Sequence, residues 1–396
     1  MTMSTTTAGS SGHSENFGLV DAAARPLGVR VALGLCHRLG LLRGFHHLAD
    51  RYWLDRAGGA WPRLRRKQAP CFIILAYHRV LPSVDPFGID TVTSAVFRRQ
   101  MRCLAERFTV LTVEEIAARI SQGHPLPPNC AAVTFDDGYA DNYHHAYPIL
   151  KSVGIPATFY LATGCIGTGH VLWFDRVLRA FEQSPNATVS LPYATHPVSL
   201  ASREERSAAG FRALFWLRSL PTEQRESSMR EVFGRLGVVP PAHDPALMMS
   251  WEQVRQMAQS GYRFGSHTVS HPILSRLSLA EVAREVSESK RCIEEATGRA
   301  VTTFAYPSGR AQDYSAEVVT VLKTAGFQAA VTNATFSVNS TGEDLYRLNR
   351  LRPWEQDVAS FFLKLCWYKF QDSGRRDASQ QAASAPVAGG RHIASC

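Results

Sequence analysis

The sequence of 396 residues lacks any run of about 18 consecutive apolar residues, so it predicts no transmembrane helix. Its first 16 residues are rich in Ser, Thr and Gly and contain no apolar stretch, so a secretory signal peptide is not expected. The eight cysteines include no C-x-x-C pair, and several lie in apolar, strand-like runs, which favours buried free thiols in a reducing compartment. We therefore expect a cytoplasmic protein, with peripheral attachment to the inner face of the cytoplasmic membrane as a second possibility.

The formal net charge of +9 is concentrated near the N-terminus. The first 70 residues hold ten Lys and Arg against four acidic residues, so this segment carries 10 − 4 = +6 of the total. Residues 17–68 combine this charge with an apolar stripe, which would allow them to bind an anionic membrane surface or to pack as helices on the rest of the chain. No base-reading motif or aromatic interleaving accompanies the charge, so no nucleic-acid partner is predicted.

Two adjacent carboxylates follow a strand-like run in the stretch Val133–Tyr139. Asp136 and Asp137 come where the chain turns, so both side chains can reach one cleft. Two negative charges so close together are unfavourable unless a cation lies between them or one carboxylate takes a proton. A metal ion held by one carboxylate would leave the other free as a base, whereas the simpler alternative is a strand followed by an Asp-Gly turn.

Two histidines follow a second strand-like run, at residues 262–264. His267 and His271 are four residues apart, so one helical turn or a tight loop could direct both imidazoles at a single ion. Imidazole and carboxylate ligands suit zinc or a similar divalent metal. Two histidines and one aspartate would leave a coordination position open for water, which is typical of a catalytic rather than a structural site.

These two motifs resemble those of the polysaccharide deacetylases with the NodB-homology domain, carbohydrate esterase family 4. The T-F-D-D-G motif of that family is matched at residues 134–138, and its H-[ST]-x-x-H motif at residues 267–271. The resemblance implies that Asp136 is the general base and that Asp137, His267 and His271 hold a divalent metal. Zinc is the expected ion, with cobalt, nickel or manganese as alternatives.

Two motifs of this family are altered in the chain. The family's R-P-P-Y-G motif corresponds to residues 304–309, where the backbone N–H of Ser308 would meet the oxyanion. The arginine that orients the base in the family falls at Ala305, and Arg310 is a candidate to replace it from the other side of the loop. The F-A-Y-P variant at this position is similar to the exopolysaccharide-associated branch.

The family's last motif, L-x-H, reads Leu348-Asn349-Arg350 in this chain, and an arginine cannot act as an acid near neutral pH. His78 offers a replacement because it ends the first predicted strand and an imidazole titrates near neutrality. A Tyr-His motif at this point in biofilm-polysaccharide deacetylases is similar to Tyr77-His78. The alternative role for His78 is that of a hydrogen-bonded residue at a strand end.

Alternating buried strands and helices predict an α/β protein, and seven strand candidates favour a barrel over an open sheet. The resemblance implies a distorted (β/α) barrel with its site at the C-terminal ends of the strands. The expected order is as follows: residues 1–16 disordered; 17–68 a basic, partly helical extension; 69–365 the deacetylase domain, with a helical insertion at about 166–249; and 372–396 a disordered tail.

The sequence therefore predicts a metal-dependent hydrolase that removes N-acetyl groups from N-acetylhexosamine residues of an exopolysaccharide or its lipid-linked precursor. An aspartate base would activate the attacking water. Two alternatives are a non-catalytic glycan-binding protein on the same fold and a deformylase or deacylase of a small or lipid-linked amide. Substrate contacts are expected from the following residues: Ser308, Tyr139, Tyr306, Trp173 and Arg310.

Overall fold

The computed structural model describes residues 71–333 and 337–368 of the chain. The chain divides into two units, Met1–Leu64 and Arg65–Cys396, and the described residues belong to the second. The sequence-based predictions for the N-terminal extension, for the two disordered ends and for membrane attachment through residues 17–68 fall outside the described residues.

The strands are β1 (Cys71–Tyr77), β2 (Arg79–Leu81), β3 (Thr91–Thr93), β4 (Thr109–Val110), β5 (Cys130–Phe135), β6 (Thr158–Leu161), β7 (Thr188–Val189), β8 (Val198–Ser199), β9 (Arg263–Ser266), β10 (Thr303–Ala305), β11 (Ala329–Val331) and β12 (Asn339–Ser340). The α-helices are α1 (Ser94–Arg107), α2 (Val113–Ser121), α3 (Tyr147–Val153), α4 (Trp173–Gln183), α5 (Arg203–Ser219), α6 (Thr222–Leu236), α7 (Trp251–Gln259), α8 (Leu279–Thr297) and α9 (Ala316–Thr324). A further helix, α10, spans 358–368. Short helical turns of other types occur at Asn142–Ala146, Leu274–Arg276 and Leu345–Arg347.

Six parallel strands form most of a barrel wall in the order β11, β10, β9, β6, β5 and β1, and β12 adds antiparallel to β1. The sequences of β1 and β5 are apolar almost throughout, and nearly all their residues are buried, as expected for strands covered on both faces. Alternate side chains therefore enter two separate cores. One core lies between the sheet and the outer helices, and the other fills the barrel interior.

An extended segment at residues 348–351 closes the barrel between β11 and β1. The N–H of Leu348 donates to the carbonyl of Ala330 at 3.0 Å, and the N–H of Leu351 donates to the carbonyl of Ile74 at 2.8 Å. Both contacts run parallel to the neighbouring strand. This seventh parallel segment confirms the predicted barrel, and it carries Arg350 between two strands of the wall.

Local signals in the sequence explain where the outer helices begin and end. Helix α8 starts with a capping box in which Ser278 and Glu281 bond each other's backbone N–H groups, and it ends at Gly298 in the left-handed conformation. Helix α2 starts with the same arrangement between Thr112 and Glu115. These local signals fix where both helices begin.

The predicted insertion contains α4, a short β7–β8 hairpin, α5 and α6, and these elements pack around a core of their own. The insertion therefore forms a small, mainly helical layer attached to the barrel. Six cysteines fall within the described residues without forming a disulfide, and three of them are buried, as expected: Cys103, Cys130 and Cys165. Among the helices in the described ranges, none is both long and apolar enough to span a bilayer.

Candidate active site

Three predicted metal ligands meet at the C-terminal rim of the barrel. Asp137 follows β5, while His267 and His271 lie in the loop after β9. The Nε2 atoms of both histidines lie 3.5 Å from Oδ1 of Asp137, and one potential ligand atom from each residue lies within 4.8 Å of the others. The parallel strands bring these residues together because their C-terminal ends share one edge of the barrel.

The loop after β9 orients the two imidazoles. His267 Nδ1 lies 2.7 Å from the carbonyl oxygen of Ala305, so this nitrogen donates and leaves the lone pair of Nε2 free to face Asp137. The backbone N–H of His271 donates to Oγ1 of Thr268 at 3.0 Å. The H-x-x-x-H spacing is thus accommodated by a tight loop and not by a helical turn.

Helix α8 holds this loop from outside through Glu285. One carboxylate oxygen of Glu285 accepts hydrogen bonds from the backbone N–H groups of Val269 and Ser270, at 2.7 and 2.9 Å. Its other oxygen accepts from the Ser270 hydroxyl at 2.7 Å. Glu285 carries no local signal in the sequence, because its partners are backbone groups 15 or 16 positions away along the chain.

Strained backbone is concentrated around this rim. Six described non-glycine residues have positive φ, and the five at the rim are Asp90, Asp137, Thr268, His271 and Ser308. Such conformations are unfavourable for residues with a Cβ and persist where the surrounding structure imposes them, most often at functional sites. The backbone conformations at the rim are therefore imposed by the surrounding structure and not by the preferences of the residues themselves.

The donor set fits a divalent cation. Asp137 is 2% exposed, and its Oδ1 has no hydrogen-bond partner among the described residues, although an unpaired buried carboxylate oxygen is unfavourable. Burial lowers the pKa of His271 to about 4, so its imidazole is neutral near pH 7, the form that binds metals. Two imidazole nitrogens and one carboxylate oxygen match the ligand preference of zinc.

Arg350 holds the second carboxylate, Asp136, in a buried bidentate ion pair. Its Nη1 and Nη2 donate to Oδ1 and Oδ2 of Asp136 at 2.7 and 2.6 Å, and the two side chains are 0% and 1% exposed. The arginine is fixed in turn by Oγ1 of Thr134 and the carbonyl oxygen of Thr332. Burial alone would raise the pKa of Asp136, but the Arg350 guanidinium holds it well below its usual range.

This ion pair corrects the prediction that Arg310 orients the base. The guanidinium of Arg310 lies over the ring of Phe215 at 5.7 Å, whereas Arg350 contacts Asp136 directly. Position 350, where the family pattern led us to look for an acid, therefore supplies the orienting arginine. Arg350 lies in the barrel-closing segment, 214 residues after Asp136 in the sequence.

His78 lies beside Asp136, as required of a residue acting at the same site. Its Nε2 is 3.7 Å from Oδ2 of Asp136, and its Nδ1 is 3.5 Å from Oδ2 of Asp90. Its backbone carbonyl accepts a hydrogen bond from Asn142 Nδ2 at 2.8 Å, which fixes the end of β1. The imidazole is thus flanked by two carboxylates, which favours a role in proton transfer over that of a simple strand-end residue.

Asp90 was not recognised from the sequence. It accepts a hydrogen bond from Nε1 of Trp354 at 3.1 Å and forms an ion pair with Arg352 at 3.0 Å. Both partners follow the barrel-closing segment, so this carboxylate is positioned next to His78 by residues from the far end of the domain. Its position in an irregular loop before β3 offered no local signal.

Two predicted substrate contacts are wrong. Tyr139 is 0% exposed and its hydroxyl donates to Oδ2 of Asp175 at 2.9 Å, where burial raises the pKa of Asp175 to about 7. Tyr306 is also 0% exposed; it stacks on Tyr314 and donates to the carbonyl oxygen of Tyr346. Each ring follows a strand end but turns into the core, so neither can touch a substrate.

Ser308 and Trp173 remain predictions. Ser308 is half-buried at the rim after β10, with φ of 62°, and the role of its N–H as an oxyanion donor stays a prediction. Trp173 is half-buried at the start of α4, next to Phe174, whose ring lies 5.1 Å from that of His271. The Arg225 guanidinium lies over the Trp173 ring at 4.7 Å.

Comparison with known proteins agrees with this geometry. The polysaccharide deacetylase family matches residues 123–330, more than half of the chain. A Bacillus subtilis protein, YxkH, named as a putative polysaccharide deacetylase, is 24% identical over 280 residues, which is 70% of each chain. The poly-beta-1,6-N-acetyl-D-glucosamine N-deacetylase of Escherichia coli K12 is 28% identical over 89 residues, 22% of this chain and 13% of that protein.

Among solved structures, the Streptococcus pyogenes deacetylase PplD, in complex with acetate, superposes with a TM-score of 0.51 at 20% identity. The match covers 75% of this chain and 98% of that one, and it supports the same fold. The family match is consistent with the Asp-Asp and His-His motifs that meet at the barrel rim. The chain therefore belongs to the polysaccharide deacetylase family of carbohydrate esterases and is a deacetylase, an enzyme of the hydrolase class.

Proposed function

We propose that the protein is a zinc-dependent N-deacetylase acting on N-acetylhexosamine units of an exopolysaccharide or its lipid-linked precursor. The observation that carries the proposal is the meeting of Asp137, His267 and His271 beside an Arg350-paired Asp136 and His78. Support for the substrate comes from the partial similarity to a poly-N-acetylglucosamine N-deacetylase. The free thiols are consistent with a cytoplasmic location, which we propose together with this substrate.

Asp137, His267 and His271 would hold the ion, which when bound supplies Lewis acidity toward an amide carbonyl and a water molecule. Asp136 accepts a proton from the attacking water as the new C–O bond forms. Arg350 keeps this carboxylate ionised and prevents it from rotating, because both of its oxygens are engaged.

His78 donates a proton to the leaving amine nitrogen as the C–N bond breaks, so acetate and a free amino sugar are the products. Its imidazole lies 3.7 Å from the base, which places the acid and the base at one cleft. Asp90 on the other side of the ring, 3.5 Å from Nδ1 of His78, would orient the imidazole for this transfer. No other histidine in the described residues lies beside Asp136, apart from the proposed ligands.

Acetate release tests the proposal. Zinc-loaded protein is incubated with oligomers of N-acetylglucosamine linked β-1,4 and, separately, β-1,6, and acetate is measured over time. We expect release from at least one oligomer, its loss after chelation and its return when zinc is added. Absence of acetate from both oligomers and from the corresponding polymers, with zinc bound, would contradict the proposed substrate class.

A further inference from the structure

A groove with a volume of about 430 Å³ lies beside the loop that carries His271. The insertion lines one part of it through α4 and α6, the loop contributes Ser270 and Pro272, and α8 contributes the opposite part. The groove therefore adjoins the proposed metal site without including any of its ligands. The chemistry assigned to the rim gives the residues that line this groove no role.

The insertion side of the groove contains a buried arginine without a charge partner. Arg225 is 4% exposed, and its Nε and Nη1 atoms are buried without a hydrogen-bond partner among the described residues. Its guanidinium lies over the ring of Trp173 at 4.7 Å, and the neighbouring carboxylate that acts on its charge, Glu226, is exposed to solvent. A guanidinium stays charged in proteins, so leaving its N–H groups unpaired is unfavourable.

Two further polar groups in the same groove are also unpaired. Nε of Arg176 and Oγ1 of Thr222 are buried and have no hydrogen-bond partner among the described residues. Unpaired buried polar groups are uncommon in native proteins, and three neighbouring side chains with this property line one groove. All of these unpaired groups can donate a hydrogen bond through an N–H or an O–H, so the missing partner is a hydrogen-bond acceptor.

The acidic residues of the groove do not supply that acceptor. Glu285 is bound to the backbone of the His271 loop, and Glu281 accepts the N–H of Ser278 at 2.8 Å at the start of α8. Glu226 and Glu288 are exposed, so water solvates their charges. In the described part of the chain, none of these carboxylates therefore accepts a hydrogen bond from the buried N–H groups of Arg225 or from Nε of Arg176.

We propose that this groove is a subsite for an oxyanion, a carboxylate or a phosphate, through which Arg225, Arg176 and Thr222 bind the substrate. That the anion belongs to the glycan being deacetylated rests on the proposed function. A carboxylate would come from an acidic sugar next to the reacting unit, and a phosphate from a lipid-linked precursor. Charge-assisted bonds to a guanidinium provide both affinity and orientation for such groups.

Binding of small anions tests the proposal separately from catalysis. Glucuronate, glucose 1-phosphate and neutral glucose are titrated calorimetrically into the zinc-loaded full chain and its Arg225→Met variant. We expect one or both anions, but not glucose, to bind the wild type, and roughly tenfold or greater weakening in the variant. Arg230→Met is the matched control, since it removes an exposed charge from the same helix. Anion bound by the zinc ion would be unaffected by either substitution.

Stability distinguishes a binding arginine from a structural one. Because Arg225 is buried without a partner, replacing it with methionine should leave the melting temperature unchanged or raise it. Thr222→Val provides a second variant, with an expected loss of anion affinity of roughly two- to tenfold.

A preference for glucuronate would identify an acidic sugar, and a preference for glucose 1-phosphate a phosphorylated carrier. The proposal is overturned if neither anion binds the wild type better than glucose, or if Arg225→Met keeps wild-type affinity. Failure of acetate release on the N-acetylglucosamine oligomers would leave these binding results standing, so the two proposals fail separately.

Discussion

Asp136→Asn is expected to retain the metal and to lose acetate release by roughly 10²–10⁴-fold or more, the contribution of a general base. The amide cannot accept a proton from water, whereas Asp137, His267 and His271 keep all their ligand atoms. The substitution also leaves the buried guanidinium of Arg350 without its anionic partner, which should destabilise the fold by about 3–5 kcal/mol. Activity must therefore be measured well below the melting temperature of the variant.

Asp137→Asn is the matched comparison, since it makes the same chemical change at the neighbouring residue. Asp137→Asn should weaken metal binding and lose activity as a consequence. Excess zinc should therefore restore part of the activity of Asp137→Asn, whereas it should restore no activity to Asp136→Asn. Near-wild-type acetate release by Asp136→Asn would rule out its role as the base.

His78→Ala is expected to lower kcat for the amide by roughly 10²–10⁴-fold, with little change in metal content, if His78 protonates the leaving amine. The reason is that an amine anion is a very poor leaving group, whereas the metal ligands are untouched. An activated ester such as p-nitrophenyl acetate needs no proton on its leaving group. The variant should therefore lose much less activity toward the ester than toward the amide.

His144→Ala serves as the control for this prediction, because His144 is an exposed histidine elsewhere in the same domain. An equal loss toward ester and amide in His78→Ala would indicate a structural role, in which the imidazole merely separates Asp90 from Asp136. An unchanged rate toward the amide would remove His78 from the reaction altogether.

Residues within short motifs were predictable from the sequence. Asp137, His267 and His271 were identified because each follows a buried strand, and parallel strands bring such positions to one edge. The apolar run of β1 likewise made that strand predictable, because the signal is local.

Contacts between distant parts of the chain were not predictable in the same way. Arg350 is 214 residues from Asp136 in the sequence, and only closure of the barrel brings the two together. Asp90 has a similar dependence on Arg352 and Trp354. An arginine at position 350 therefore looked like the loss of an acid, whereas in the structure it is the ion-pair partner of Asp136.

The two misassigned tyrosines show a second limit. Tyr139 and Tyr306 each stand close to a motif residue, where an aromatic ring could face either substrate or core. The direction depends on partners that are remote in the sequence: Asp175 for the first and the Tyr346 carbonyl for the second. Hydrophobic pattern alone does not distinguish these directions at a strand end.

Zinc titration of chelator-treated protein, comparing the wild type with His271→Ala, tests the central feature of the site most directly. It requires no knowledge of the sugar. With Asp137, His267 and His271 as the ligands, the wild type should bind one equivalent, and the variant should bind roughly a hundredfold more weakly or not at all. A wild type that binds no zinc or related divalent ion, or a variant that binds it as tightly as the wild type, would contradict the assignment.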